Sequence, residues 1–355
     1  MYLRNCWYMA GWSTDFAGEG LRALTLLDEP VVFYRGADGT LAALEDRCCH
    51  RLAPLSHGRV EGNDLRCLYH GLKFARSGAC VEVPGRDSVP RAMKVRSFSV
   101  VERYSAAWIW MGDPTLADAA LIPNFVGVDD PRWHMLPGRM DYDANYRLIQ
   151  DNLLDLSHVA WVHRNSFGGG RDDANDAWKK AELRVTALDR GIRVERWMPN
   201  APSPPNRPAV EGPYCDRLTT FDFLVPGIFL MTSSNYRVGA AARAGGDRPQ
   251  EEPLFVTFTA QAVTPLTSRS TCYFFAFGPW DRMPGAADLK TSFRDLAVLA
   301  FGEDKAMLEA QQKIIDADPS RQMMLFEIDK APVMYDRLVK RLLAEEAAAD
   351  VRASA

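Results

Sequence analysis

The chain has 355 residues, of which 47% are hydrophobic and 25% charged, enough for two domains with full cores or one large one. A net charge of −4 argues against a nucleic-acid surface. No stretch reaches the roughly 18 uninterrupted apolar residues that span a bilayer. Met1-Tyr2-Leu3-Arg4-Asn5-Cys6-Trp7 lacks the apolar run of a signal peptide, so a cytoplasmic chain without a membrane partner is expected.

From the N-terminus, 30–35 reads as a strand, 36–39 as a turn and 41–45 as the return strand. Two loops follow, Cys48-Cys49-His50 and Cys67-Leu68-Tyr69-His70, separated by residues 51–66. Residues 100–111, with Trp108 and Trp110 at period two, predict one further strand ending at Gly112-Asp113-Pro114. Prolines at 114, 123 and 131 punctuate a boundary region, and the domains are set at 1–115 and 116–355. Beyond it, 146–162 has helical spacing, and 183–188 with 192–197 reads as a hairpin. Residues 201–213 are Pro-rich loop, and 239–253 an exposed loop. A strand pair is expected at 255–262 and 270–277, a long helix at 289–317, and a last helix at 332–348 followed by a loose tail.

The seven cysteines are irregularly spaced, so their clustering reads as metal binding rather than a disulfide framework. Each loop mixes one Cys with one His, as C-x-H (Cys48, His50) and C-x2-H (Cys67, His70). That pattern suits a [2Fe–2S] cluster in which two histidines replace thiolates on one iron and raise its potential. The alternative is structural zinc, which also takes two Cys and two His but usually as C-x2-C with H-x3-5-H. His57, between the loops, reads as an ordinary hydrogen-bonded loop histidine.

The second constellation is the run Asn152-Leu153-Leu154-Asp155-Leu156-Ser157-His158-Val159-Ala160-Trp161-Val162-His163. On a helix, Asn152, Asp155 and His158 share a face. His163 falls about 140° further round, so both histidines reach one ion only if the helix ends, kinks or bulges between them. Two histidines and a carboxylate make the facial triad of non-haem iron(II) oxygenases; a helix with two core histidines is the plain alternative. Neither G-x-G-x-x-G nor C-x4-C-x2-C occurs, so electrons are expected from a separate reductase.

The motifs Cys48-Cys49-His50-Arg51 and Cys67-Leu68-Tyr69-His70-Gly71-Leu72-Lys73-Phe74 resemble those of the Rieske family, with Cys49 where that family commonly has proline. With the second constellation, the whole chain resembles the oxygenase component of a Rieske non-haem iron oxygenase, in the vanillate O-demethylase and dicamba monooxygenase branch. The family motif Asp-x3-Asp-x2-His-x4-His is matched by Asp151, Asp155, His158 and His163. The resemblance implies an α+β chain: an all-β Rieske domain, then a helix-grip catalytic domain of antiparallel sheet with covering helices. It implies a [2Fe–2S] cluster on Cys48, His50, Cys67 and His70. It implies iron(II) on His158, His163 and Asp304, with Glu303 and Asp295 as fallbacks for the carboxylate. Asp155 would bridge the two centres across a subunit boundary, and Asn152 would sit near the iron. Dioxygen would be the co-substrate. NAD(P)H would act through a flavin- or ferredoxin-type reductase, the assembly would be a homotrimer, and the substrate a small aromatic acid losing a methyl group as formaldehyde. Leu230, Gln261 and Asp295 are the expected substrate-lining residues. Ring hydroxylation, and an electron-transfer protein without catalysis, are the other readings.

Overall fold

The computed structural model describes all residues except 19, 127, 169–171, 205–211, 246–247 and 355, and leaves out the side chains of 175 and 350–354. The chain divides into two compact units, Met1–Gly127 with Thr264–Arg269, and Val128–Val263 with Ser270–Ala355.

The first unit is all-β. Its strands are β1 (Trp7–Trp12), β2 (Leu21–Leu26), β3 (Glu29–Arg35), β4 (Leu41–Glu45), β5 (Arg59–Glu61), β6 (Asp64–Arg66), β7 (Lys73–Phe74), β8 (Cys80–Glu82), β9 (Ser97–Arg103) and β10 (Ala106–Trp110). They form one sheet in the order β1-β10-β9-β4-β3-β2 and a smaller one in the order β5-β6-β7-β8. In β3, Val31, Val32, Phe33 and Tyr34 are all buried, a β-branched and aromatic run covered on both faces. The single strand expected over 100–111 is instead the hairpin β9–β10. Tyr104 and Ser105 both take positive φ, 57° and 58°, which makes the two-residue turn that matches strand twist. The unit also extends past the expected boundary at 115. Trp7 Nε1 donates to Asp118 O at 2.8 Å, and the Phe125 ring packs on Trp12 and Trp108.

The second unit is one antiparallel sheet with covering helices. Its strands are β11 (Leu136–Tyr142), β12 (Glu182–Leu188), β13 (Gly191–Pro202), β14 (Tyr214–Leu224), β15 (Ile228–Tyr236), β16 (Phe255–Thr267) and β17 (Ser270–Pro279), in the order β11-β17-β16-β15-β14-β13-β12. The helices are α1 (Tyr146–Leu154), α2 (Asp172–Lys179), α3 (Ala240–Arg243), α4 (Ala286–Ala317) and α5 (Lys330–Ser354). α4 packs on β17 and β11, α5 on β13 and β12, and α2 on β13. The expected helix over 146–162 stops at Leu154, and a 3-10 turn covers Leu156–Ala160. The segment 239–253 is not simply loop: it holds α3, with Ala240 buried and Arg243 paired to Glu251 at 2.8 Å. β13 runs on to Pro202, and most of the Pro-rich stretch after it lies outside the described residues. α5 continues through the expected tail to Ser354. Among the described residues, no helix is long and apolar enough to cross a membrane.

Candidate metal centres and active site

In the first unit the two Cys/His loops repeat one backbone design. Cys48 N donates to Ala53 O and Leu52 N to Cys48 O; Cys67 N donates to Leu72 O and Gly71 N to Cys67 O. The fifth residue of each loop is left-handed, Leu52 at φ 57° and Gly71 at φ 73°. Each loop is also strapped down. Asp46 accepts from the Ser56 amide and hydroxyl at 2.7 and 2.6 Å. Arg66 donates to Gly71 O at 2.6 Å while its fork grips Glu82.

The result places Cys48 and Cys67 together in a buried cluster with Leu55, Leu65 and Phe74, and sets the rings of His50 and His70 4.6 Å apart on the exposed side. Burial first, and then the neighbouring Cys67, push the Cys48 thiol up to about 11. A buried thiol pair of this kind ionises on taking a metal. Two sulfurs inside and two imidazoles outside fit a two-iron cluster held by Cys on one iron and His on the other. Leu52, Leu68 and Tyr69 are exposed on these loops, and the Tyr69 ring lies 4.0 Å from that of His70. Cys49 packs beside the same cluster, and nothing in the structure explains its presence.

The second centre is built by the break after α1. Asn145 caps the helix start, accepting from Arg147 N at 2.9 Å. At the other end Asp155 leaves helical geometry (φ −121°, ψ 95°), and its carboxylate caps the following turn through Ser157 N and Oγ at 2.9 and 2.8 Å. Asn152, Asp155 and His158 therefore do not share one helix face. The break turns the Asp155 carbonyl onto His158 Nδ1 at 2.6 Å. His158 is thus held by main chain, and not by the Asp155 carboxylate.

His158 Nε2 then lies 3.5 Å from Asp304 Oδ1, and His163 Nε2 3.2 Å from Asp304 Oδ2. One ligand atom from each of these three residues lies within 4.8 Å of the others. His163 Nδ1 is engaged by Glu303 Oε2 at 2.9 Å, and the same oxygen accepts from Ser166 Oγ at 2.6 Å. Both imidazoles thus spend Nδ1 on a fixed oxygen and aim Nε2 inward, the arrangement that sets tautomer and direction in metal-binding histidines. Asn152 Nδ2 donates to Asp304 Oδ1 at 3.1 Å. Burial pulls His158 below its ordinary value. Burial also pulls on His163, but the Asp304 and Glu303 carboxylates outweigh it and hold that ring above its ordinary value. Two imidazoles and one carboxylate at this spacing fit a mononuclear iron(II) ion with open positions. Of the fallbacks, Glu303 supports His163 rather than joining the triad, and Asp295 is solvent-facing and paired to Arg294 at 2.9 Å.

The triad opens into a cavity of about 130 Å³, close to the ~150 Å³ of a cavity that admits benzene. Leu153, Val159, Phe167, Phe229, Met231 and Phe277 supply its apolar wall, and Arg217, Asn235, Thr257 and Gln261 its polar one. Gln261 is where the sequence placed it, buried and accepting from Tyr273 Oη at 2.6 Å. The Tyr273 ring in turn packs edge-on against Phe301 at 5.2 Å, one helical turn before Asp304 on α4, which puts Gln261 toward the triad end of the cavity. Leu230 and Asp295 do not line the cavity. On β15 the period of two turns Phe229 and Met231 to the cavity and Leu230 away, while on α4 Phe293 and Leu296 face it instead of Asp295. Arg217 and Ser166 line or support the site without any signal in sequence spacing, whereas Glu303, a fallback ligand in the sequence, takes a different role on His163. Glu303 sits 140 positions beyond His163, and its one signal is an acid preceding the expected ligand.

Comparison with known proteins gives two family matches. The Rieske [2Fe–2S] domain matches residues 6–99, and the vanillate O-demethylase oxygenase C-terminal domain matches residues 142–345. Among characterised relatives, the chain is 39% identical to the iron–sulfur subunit of a toluene-4-sulfonate monooxygenase system from Comamonas testosteroni, covering 98% of both chains. It is 35% identical to the oxygenase component of dicamba O-demethylase from Stenotrophomonas maltophilia, covering 98% of this chain and 99% of that one. The crystal structure of dicamba monooxygenase bound to 3,6-dichlorosalicylic acid superposes with a TM-score of 0.83 at 32% identity, over 98% of this chain and 99% of that one.

Proposed function

The chain belongs to the Rieske oxygenases that carry a vanillate O-demethylase type C-terminal domain, and from that premise we propose that it removes or hydroxylates the methyl group of a small aromatic acid. As an oxygenase component it works with dioxygen, a [2Fe–2S] cluster, mononuclear non-haem iron and a separate reductase. The observation that carries the substrate reading is the ring-sized cavity ending on His158, His163 and Asp304. Relatives support it: the proteins at 39 and 35% identity are named for the oxygenation of toluene-4-sulfonate and the O-demethylation of dicamba. For a methoxyarene the balance is ArOCH3 + O2 + 2e− + 2H+ → ArOH + HCHO + H2O.

Cys48, Cys67, His50 and His70 would hold the cluster; His158 and His163, through Nε2, and Asp304 would hold the iron. Iron bound there supplies the open coordination positions at which dioxygen is activated beside the substrate. The protein's own part is orientation. Asn152 fixes one oxygen of Asp304, Glu303 fixes His163, and the Asp155 carbonyl fixes His158. Phe229, Met231 and Phe277 present an apolar wall that keeps water from the ring. Asp155 would carry the electron path to a cluster histidine of a neighbouring subunit in a homotrimer, and the protein would work in the cytoplasm.

The test is oxygen uptake and formaldehyde release with methoxy- and methylbenzoates and the matching sulfonates, using a generic reductase. One formaldehyde per methoxyarene consumed is expected, and a cis-diol product would overturn the reading. His158→Ala should abolish turnover with the cluster's visible spectrum intact; unchanged turnover would remove the triad from the mechanism.

A further inference from the structure

Gln261 is 3% exposed, and the hydrogen bonds around it run in one direction. Thr259 Oγ1 donates to Ala276 O at 3.0 Å. A carbonyl only accepts, so this bond commits the one hydroxyl proton of Thr259. Toward Gln261, at 3.1 Å, Thr259 is therefore an acceptor, and the Gln261 atom that meets it is the amide nitrogen. The amide oxygen then faces Tyr273 Oη at 2.6 Å, and the phenol donates to it. Burial first, and then the charges of Tyr142 and Asp304, hold that phenol well above its usual range, so it keeps the proton it donates. A main-chain carbonyl at one end and a buried phenol at the other fix which way the amide points.

The amide nitrogen carries two N–H groups. One goes to Thr259, and the other has no acceptor among the described residues. Gln261 and Thr259 line the cavity, and their partners across the sheet on β15, Phe229 and Met231, line it with apolar surface. A buried donor without an acceptor is costly, and an oxygen of a bound ligand removes that cost. Gln261 lies toward the triad end, so the ligand atom it meets belongs to the substituent directed at His158, His163 and Asp304. A methoxy group there carries its oxygen one bond from the reacting carbon, whereas an alkyl group carries no acceptor.

We propose that Gln261, its amide oriented by Tyr273 and Thr259, donates its second N–H to the aryl ether oxygen of the substrate, so that the site selects methoxyarenes over alkylarenes and serves O-demethylation. This rests on the cavity being the substrate site. Gln261 acts here as a specificity-determining residue, and Tyr273 as the residue that positions it.

The experiment is calorimetric titration of the holo-oxygenase, without reductase, with 3- and 4-methoxybenzoate and the matching 3- and 4-ethylbenzoates, which exchange the ether oxygen for CH2 at nearly the same size. Burial alone favours the ethyl compounds. In wild-type protein at least one methoxybenzoate should nevertheless bind roughly threefold or more tightly than its ethyl counterpart. Gln261→Met, which keeps the length and loses the donor, should reverse that order. Tyr273→Phe, which removes one hydroxyl and frees the amide to turn, should shrink the preference toward equality. Wild-type protein that binds both ethylbenzoates as tightly as their methoxy counterparts overturns the proposal. So does a methionine variant that keeps the wild-type preference, or a phenylalanine variant in which it is unchanged. If the methionine variant lacks the cluster spectrum, Tyr273→Phe decides: a smaller preference supports the donor, and an unchanged one overturns it. A methoxy preference that Gln261→Met removes, without formaldehyde release when reductase is added, retains the donor and removes the proposed reaction. Formaldehyde release by a wild-type protein that prefers the ethyl compounds retains the reaction and removes the donor, and binding of none of the four overturns both.

Discussion

At the scale of single residues, the site works by assigning each polar atom one partner. His158 and His163 are both legible in the chain, because they lie within one short run and share the spacing of a known ligand pair. Their shared direction is not legible, since it depends on the Asp155 carbonyl and on Glu303. Asp151, first residue of the same motif, shows the cost of gathering acids here. Desolvation pushes its carboxyl up to about 6, with Asp336 and Asp329 adding to the shift against the pull of Arg147. The sign follows from linkage: a native carboxyl that binds its proton more tightly than the unfolded chain loses stability as pH rises from about 4 to about 6. Asp151→Asn should therefore raise the melting temperature at pH 7.5 and change it little at pH 4. An equal gain at both values in thermal denaturation would show that the effect is not ionisation.

At the scale of elements, the two cluster loops depend on one left-handed residue each. At Gly71 an added Cβ would meet Pro84 Cγ at 2.8 Å in a backbone at φ +73°. Gly71→Ala should cost about 1–2 kcal/mol and lower both the melting temperature and the cluster absorbance per chain. Leu52→Gly, at the matching position of the other loop, should leave both close to wild type, because Leu52 is exposed and gives up strain. A Gly71→Ala protein with a wild-type spectrum and melting curve would show that the loop tolerates the clash. The same scale explains where periodicity misleads. Trp108 and Trp110 mark β10 correctly, but the turn at Tyr104 and Ser105 carries no glycine to announce it. β15 lacks clean alternation because its cavity face changes from Phe229 and Met231 to Ser233 and Asn235. The α1 helix ends at a residue, Asp155, that a helical pattern absorbs without protest.

At the scale of the whole molecule, the proposed trimer makes a prediction that needs no structure of the assembly. A head-to-tail ring closes, and each cluster would then serve the next subunit's iron. Co-assembling a cluster-less Cys67→Ser chain with an iron-less His158→Ala chain in equal amounts should restore about a quarter of wild-type turnover, since a mixed three-membered ring has one productive neighbour pair. No recovery in mixed assemblies whose mass is that of a trimer would place electron transfer inside one chain.

The amino-acid sequence alone determined the kinds of chemistry present. Cys48, His50, Cys67 and His70 declare a mixed-ligand cluster, and His158 with His163 declare half of a second centre, because ligands carried on one loop must be close in sequence. The strand pair expected at 255–262 and 270–277 and the helix expected at 289–317 were legible too, the strands as nearly continuous apolar runs that are buried on both faces and the helix by its helical period. Tertiary structure alone decided the rest. It set Glu303 behind His163 as its support and brought Asp304, the carboxylate that the resemblance had named, onto both histidines. It turned Leu230 and Asp295 away from the cavity, and brought Arg217 to its wall. These choices depend on which face of a strand or helix points inward and on which distant segments meet. That is a matter of packing and register, which local spacing does not encode.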